Sequence, residues 1–138
     1  MNCRAFNNSD RDWQILRDIC YNCGSKNVKK SFAYIRTAHL RYGKCFFCDV
    51  FDKSTAFFVG YIGSKHIRII DLAIISSEQR KGLGTQIMLY EISKARKQNI
   101  HKMTLRTAIN EQGQKFWASL GGQIIGRSGD DWGMEIKF

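Results

Sequence analysis

The chain has no proline, no apolar run approaching the roughly 20 residues that cross a bilayer, and only 12 acidic residues against 22 basic ones. The missing run excludes a helical membrane span, and the polar start Met1-Asn2-Cys3-Arg4 carries no signal-peptide pattern, so a cytoplasmic protein without a membrane partner is expected. No repeat, low-complexity tract or linker-like shift in composition divides the 138 residues, and a single domain spanning 1–138 with its own core is expected. The shortage of acids leaves a net charge of +10, which bears on partners rather than on fold.

Local patterns supply the elements. Ser9, with Asp12 three residues on, is placed to cap a helix through Trp13, Leu16, Ile19 and Cys20. A second helix is expected from about Val28 to Tyr42. Cys45 to Phe51 and Ala56 to Ile62 are rich in aromatic and β-branched residues and flank Asp52-Lys53-Ser54, the pattern of a hairpin. The run from Ile67 to Ile75, interrupted only by Arg68 and Asp71, predicts a central strand covered on both faces. Leu83, Ile87, Met88, Ile92 and Ala95 then recur at helical spacing until about Asn99. Met103 to Thr107 predicts a strand, Asn110 to Leu120 an asparagine-capped helix, and Gln123 to Arg127 and Trp132 to Phe138 two closing strands.

Where the central strand gives way to a helix stands Gln79-Arg80-Lys81-Gly82-Leu83-Gly84. Two glycines one residue apart let the backbone turn tightly and approach a ligand, while Arg80, Lys81 and the free N–H groups of a helix start favour an anion. The segment is either a phosphate cradle or a basic turn. It lacks the Gly-Lys-Ser/Thr ending of a P-loop and the third glycine of a dinucleotide-binding turn, which leaves a shorter pyrophosphate clamp. The motif and its surroundings resemble the GNAT superfamily of acetyl-CoA-dependent N-acyltransferases, whose signature Gln/Arg-x-x-Gly-x-Gly/Ala lies between the fourth strand and the third helix. The chain matches it at Gln79, Gly82 and Gly84.

The order of elements is similar to that family's over essentially the whole chain, so the resemblance implies an α/β (α+β) fold with a mixed, mostly antiparallel sheet flanked by helices. It further implies transfer of an acetyl group from acetyl-CoA to an amine. Backbone amides from Lys81 through Gly82, Leu83 and Gly84 to Thr85 would hold the pyrophosphate beside Gln79 and Arg80. The backbone of Leu72 and Ile74 would pair with the pantetheine arm between the fourth and fifth strands, and an N–H near Ile74 would stabilise the oxyanion. The family often continues Asn-x-x-Ala-x-x-aromatic-Tyr and then Gly-Phe; here the residues are Asn110, Gly113, Phe116, Trp117 and Gly121-Gly122, which adds Asn110 and Trp117 to the implied cofactor contacts. Trp117 replaces a tyrosine proposed to protonate the departing thiolate. An indole N–H is no acid near neutral pH, so packing against the sulfur end or hydrogen-bonding to it are the roles left to it.

The attacking amine must first lose a proton, since a lysine side chain titrates near about 10.4. The family often uses a carboxylate on its fourth strand, at positions matching Arg68 or Ile70, neither of which is acidic. Asp71 is the only acid of this strand and is the candidate base. Strict alternation points it to the face opposite Ile70 and Leu72 unless a bulge shifts the register. The alternative is an aspartate bonded to neighbouring backbone or to a basic side chain. His39, His66 and His101 do not cluster.

A rival reading comes from Cys20-x-x-Cys23 and Cys45-x-x-Cys48, whose separation approaches that of a zinc ribbon. Against it, Cys45-Phe46-Phe47-Cys48 lies in a strand-forming run, where residues three apart face opposite sides, so buried free thiols are the plainer expectation and no metal is assigned. Lys26, Lys29, Lys30, Arg36, Arg41 and Lys44 lie outside the clamp and fit either a solvated face or an acidic macromolecule or nucleic acid as partner. An N-acetyltransferase is therefore expected, with a zinc-stabilised nucleic-acid-binding module and a non-catalytic acyl-CoA-binding protein as the alternatives.

Overall fold

The computed structural model describes residues 1–24 and 28–138. Among these, seven strands form one sheet: β1 (Cys3–Ala5), β2 (Phe46–Phe51), β3 (Ala56–Ile62), β4 (Ile67–Ile74), β5 (Lys102–Ala108), β6 (Gln123–Ser128) and β7 (Asp131–Lys137). Four helices pack on it: α1 (Asp10–Asn22), α2 (Val28–Tyr42), α3 (Leu83–Lys97) and α4 (Glu111–Ser119). The strand order is β1-β2-β3-β4-β5-β7-β6, and every neighbouring pair is antiparallel except β4 with β5. The mixed, mostly antiparallel sheet flanked by helices is the expected architecture.

Apolar side chains from both sheet faces build two core layers. Leu16 and Ile19 of α1 and Ile35 of α2 pack on Val50, Phe57, Val59 and Ala73; Ile87 and Met88 of α3 and Trp117 of α4 pack on Phe58, Ile69, Met103 and Met134. Removing all of Phe57 or Phe58, both fully buried, costs about 3–5 kcal/mol by the usual large-to-small penalty. Local chemistry sets the helix ends: Ser9 Oγ accepts the Asp12 N–H at 3.1 Å, and Asn110 Oδ1 accepts the Gly113 N–H at 2.8 Å.

Two irregularities of β4 position the site. Asp71 pairs with Val59 while Ile69 pairs with Gly60, so Ile70 is the extra residue of a β-bulge. Ile67 and Ile69 belong to the α3/α4 layer, whereas Ala73, four residues beyond Ile69, belongs to the α1/α2 layer. The bulge thus inverts the phase of the strand. β4 also pairs with β5 only at Ile67–Met103 and Arg68–Thr104, and beyond Arg68 the two parallel strands part.

Two details differ from the local patterns. β1 carries only three residues, too few for an alternating pattern, and exists because β2 offers it an edge, with Cys3 opposite Phe51. Cys45 ends a 3₁₀ turn, Gly43–Cys45, rather than opening β2, because Gly43 adopts φ +51° and closes α2 there.

Candidate functional site

The segment from β4 to α3 folds as a wrapped loop. Ser76–Glu78 forms a 3₁₀ turn, Arg80 takes φ +62°, and Gly82 takes φ +83° immediately before α3 begins at Leu83. The left-handed Gly82 is the N-cap residue and leaves the first N–H groups of α3 without a side-chain cap. No acidic residue lies in that first turn, so the positive end of the helix is unneutralised. Gly84 matters for a different reason: a Cβ there would stand 3.2 Å from Phe116 Cε1 and 3.4 Å from Ile74 Cδ1, a tight fit. The result is a cavity of about 450 Å³, lined from β4 by Leu72 and Ile74, from the loop by Gln79, Arg80, Gly82, Gly84 and Thr85, and from α4 by Asn110, Phe116 and Trp117.

Three of the residues singled out in the sequence play other parts. The Leu83 side chain is buried in the core, so only its backbone is available to the cradle. Lys81 does not line the cavity; its Nζ lies 3.7 Å from Glu78 Oε2 on the surface. Gln79 donates both hydrogens of its side-chain amide to carbonyls, Cys23 O at 2.8 Å and Ile74 O at 2.7 Å. The fully used amide makes it a wall of the cradle tied to the end of α1.

The departures at the α4 end have steric causes. A Cβ on Gly113 would lie 3.0 Å from Thr107 Oγ1, and one on Gly122 would lie 2.6 Å from the Trp117 carbonyl oxygen. Gly122 N–H donates to that same carbonyl at 2.9 Å, so the turn closing α4 leaves no room for a side chain. Trp117 is 9% exposed, packs edge-on against Phe116 at 4.9 Å between ring centroids, and reaches the inner end of the cradle.

On the other side of β4 a second cavity, about 330 Å³, is lined by Asp71 with Cys20, Cys23, Gly24, Ser31 and Gln112 among others, and among the described residues by no lysine or arginine. Burial raises the Asp71 carboxyl to about 6, offset in part by a hydrogen bond from the Leu72 backbone. The thiol of Cys20 is raised to about 12, first by burial and then by the Asp71 charge. Asp71 has no ion pair among the described residues. A third cavity, about 360 Å³, fills the split between β4 and β5 and is lined by Asp71, Leu72, Leu105, Arg106, Thr107 and Trp117. Leu72 lines all three cavities, and Ile74 and Gln79 line both the cradle and the Asp71 cavity, so the two meet along this end of β4.

Asp71 remains on the side opposite Leu72, as alternation requires, and the bulge places it there together with Ile70, which packs in the α1/α2 layer. Cys20, Cys23 and Ser31 were not readable as site residues, because nothing in the sequence brings them to β4. The signal was the helical face: Leu16, Ile19 and Cys20 share the buried side of α1.

Other charged groups have structural surroundings. Glu91 of α3 is fully buried, with Lys94 Nζ 3.2 Å from its Oε2, and the same ammonium bonds Asp49. Burial, then a hydrogen bond with Asp49 and the charge of that carboxylate, push Glu91 up to about 9. It lines none of the three cavities described above. Arg36 stacks over Trp13 at 4.9 Å and Arg41 over Tyr42 at 5.8 Å, while Lys30 and Lys44 are exposed. Lys26 and the side chain of Lys29 lie outside the described residues. Cys48 is buried in the α1/α2 layer and Cys45 is exposed, and among the described residues no three His, Cys, Asp or Glu side chains converge on a metal position.

A family model described as the acetyltransferase (GNAT) family matches residues 13–122. Comparison with curated protein sequences returns no match. Among solved structures, the chain is similar to the PaiA N-acetyltransferase of Thermoplasma acidophilum in complex with coenzyme A, at 15% identity over all of both chains with a TM-score of 0.79. It is also similar to the ribosomal-protein-S18-alanine N-acetyltransferase of Escherichia coli, at 14% identity over 99% of this chain and 94% of that one with a TM-score of 0.75. A third likeness is the aminoglycoside 6'-N-acetyltransferase of Enterococcus faecium, at 15% identity over 99% and 97% with a TM-score of 0.76.

Proposed function

The chain belongs to the GNAT acetyltransferase family, and from that membership we propose that residues 1–138 act as an acetyl-CoA-dependent N-acetyltransferase. The observation that carries the reading is the junction at Leu72, where an anion-binding cradle and a carboxylate cavity meet through the split between β4 and β5. The cradle suits a pyrophosphate: it combines the positive end of α3, the exposed Arg80 and two glycines that keep side chains out of the way.

Acetyl-CoA, when bound, supplies the activated acetyl group. The amides from Lys81 to Thr85 hold its phosphates, and Asn110 and Trp117 border the arm. Ile75 N–H donates to Thr55 O on the β3 side, so the peptide groups of Ile74 face the split toward β5. Gln79 occupies the Ile74 carbonyl, which leaves the Ile74 N–H to polarise the acetyl carbonyl. Asp71 takes the proton of the acceptor ammonium, directly or through water. Its carboxyl must be ionised to do so, and activity therefore rises as pH rises through about 6. Trp117 packs at the sulfur end, and the thiolate leaves without an acid from this position.

The acceptor is an amine carried on an acidic macromolecule: the net charge of +10 attracts such a partner, while among the described residues the cavity that joins Asp71 to Cys20 and Cys23 is lined by no basic side chain and admits an ammonium group. Calorimetric titration with acetyl-CoA, with ADP as the control ligand, tests the cofactor reading. An absence of binding sinks it. The second reading, an acyl-CoA-binding protein without catalysis, is favoured by Trp117 and by Arg68 and Ile70 in place of a carboxylate; binding without turnover across peptide, nucleic-acid-linked and small amines selects it.

A further inference from the structure

The loop that enters the cradle also closes the end of α1. Helix α1 has no basic residue in its last turn, and its final carbonyls are taken by groups from residues 76–79: Ser76 Oγ donates to Asn22 O at 3.0 Å, and Gln79 Nε2 donates to Cys23 O at 2.8 Å. Gly24, at φ +79°, turns the chain away there, and a Cβ on it would press on Ser76 Oγ at 3.3 Å. The same Gln79 nitrogen donates to Ile74 O at 2.7 Å, so one amide joins α1, β4 and the cradle loop. Gln79 lines both the cradle and the Asp71 cavity. Cys23 Sγ in turn donates to Cys20 O at 3.2 Å, so this half-buried thiol reports on the α1 end that the clamp holds.

We infer that Gln79 is a positioning residue that couples the two halves of the site: an anion held in the cradle orders the 76–84 loop, and Gln79 passes that order to the α1 end that walls the acceptor cavity. The inference rests on the cradle being the acetyl-CoA site. Its physical basis is that both amide hydrogens are committed, so the loop cannot shift without breaking a bond to α1 or to β4. By linkage, whatever the cradle ligand gives to the α1 end, acceptor binding at that end returns to the cradle ligand.

The test needs no acceptor. ADP carries a pyrophosphate and no pantetheine arm, so it fills the cradle without reaching across β4. Iodoacetamide alkylation of Cys23 is followed by peptide mass spectrometry, with the exposed Cys45 as the internal reference. In the parent protein saturating ADP is expected to slow Cys23 alkylation roughly fivefold or more while leaving Cys45 unchanged. In Gln79→Met, which keeps the length and removes both donors, ADP still binds by calorimetry but no longer slows Cys23. Ser76→Ala, which removes the second tie, is expected to lose part of the protection and serves in its place should Gln79→Met fail to fold.

Full protection in a folded Gln79→Met overturns the inference, and where that variant does not fold, undiminished protection in Ser76→Ala does so. So does ADP binding to the parent without any effect on Cys23, and so does loss of ADP binding in Gln79→Met, which makes Gln79 a direct ligand. A parent that binds neither ADP nor acetyl-CoA removes the transferase reading itself. Once an acceptor is in hand, Gln79→Met should raise its KM more than it lowers kcat, a split that general destabilisation does not produce.

Discussion

On one side of β4 the cradle presents peptide N–H groups and glycine surface from a single stretch, residues 79–85; on the other, the Asp71 cavity gathers side chains from α1, α2, β4 and α4, between residues 20 and 112. The first depends on backbone conformations that a few residue types permit, above all the left-handed Gly82 and the tight approach of Gly84 to Phe116. The second depends on strand register and helix packing, which decide whether an aspartate meets two thiols and a serine or meets solvent. A backbone site tolerates change in every side chain except the ones that must be absent; a side-chain site is sensitive to the group itself.

That contrast breaks most sharply at Asp71. Asp71→Asn should lower the acetylation rate by about 10²–10⁴-fold with acetyl-CoA affinity unchanged, and the rise in rate through about pH 6 should disappear with it. A full rate in steady-state assays removes Asp71 from the chemistry. The cradle is expected to respond in the opposite way. Gly84→Val forces side-chain atoms against Phe116 and Ile74 and should weaken acetyl-CoA by about tenfold or more, about 1.4 kcal/mol, with the fold retained by circular dichroism. Unchanged calorimetric affinity there would mean that the ligand does not lie against Gly84.

Gly122→Ala sharpens the comparison by separating stability from binding. Its Cβ meets the Trp117 carbonyl at 2.6 Å, so about 1–3 kcal/mol of stability should be lost in urea unfolding, as for other overpacked sites. The smallest effect on function belongs to Glu91, the other carboxyl with a strongly raised pKa. Its folded value near 9 lies above the ordinary 4.5, so the native state keeps a proton that the unfolded chain releases between those values. This contribution to stability is whole below pH 4.5 and is lost as pH climbs toward 9. Glu91→Gln should flatten that decline in thermal midpoint measured from pH 5 to 9 and leave the acetylation rate as it was. The pair shows that burial alone shifts a carboxyl; what distinguishes Asp71 is the cavity beside it.

Much of this molecule was legible before folding was considered. The helix starts at Ser9 and Asn110, the hairpin around Asp52-Lys53-Ser54 and the two-glycine turn all rest on interactions within a few residues. Gln79, Arg80, Gly82, Gly84 and Thr85 line one cavity, because adjacent residues need no long-range partner to become neighbours. What stayed hidden shares one cause. β1 requires the edge of β2, the Ile70 bulge requires the competing pairings of β3, and the meeting of Cys20, Cys23 and Ser31 with Asp71 requires α1 and α2 to dock on the sheet. Gln79 is the instructive case: its identity belongs to the motif, yet its amide serves the end of α1, a role no local pattern discloses.

By itself the sequence determined all the longer elements, their order, the basic excess and the two-glycine turn, since periodicity, caps and glycine act over short distances. The tertiary structure alone decided that β4 and β5 part beyond Arg68, that Asp71 is desolvated with no ion-pair partner among the described residues, and that one glutamine spans the two halves of the site. Those outcomes arise from which surfaces pack together, and desolvation and hydrogen-bond geometry exist only once they have packed.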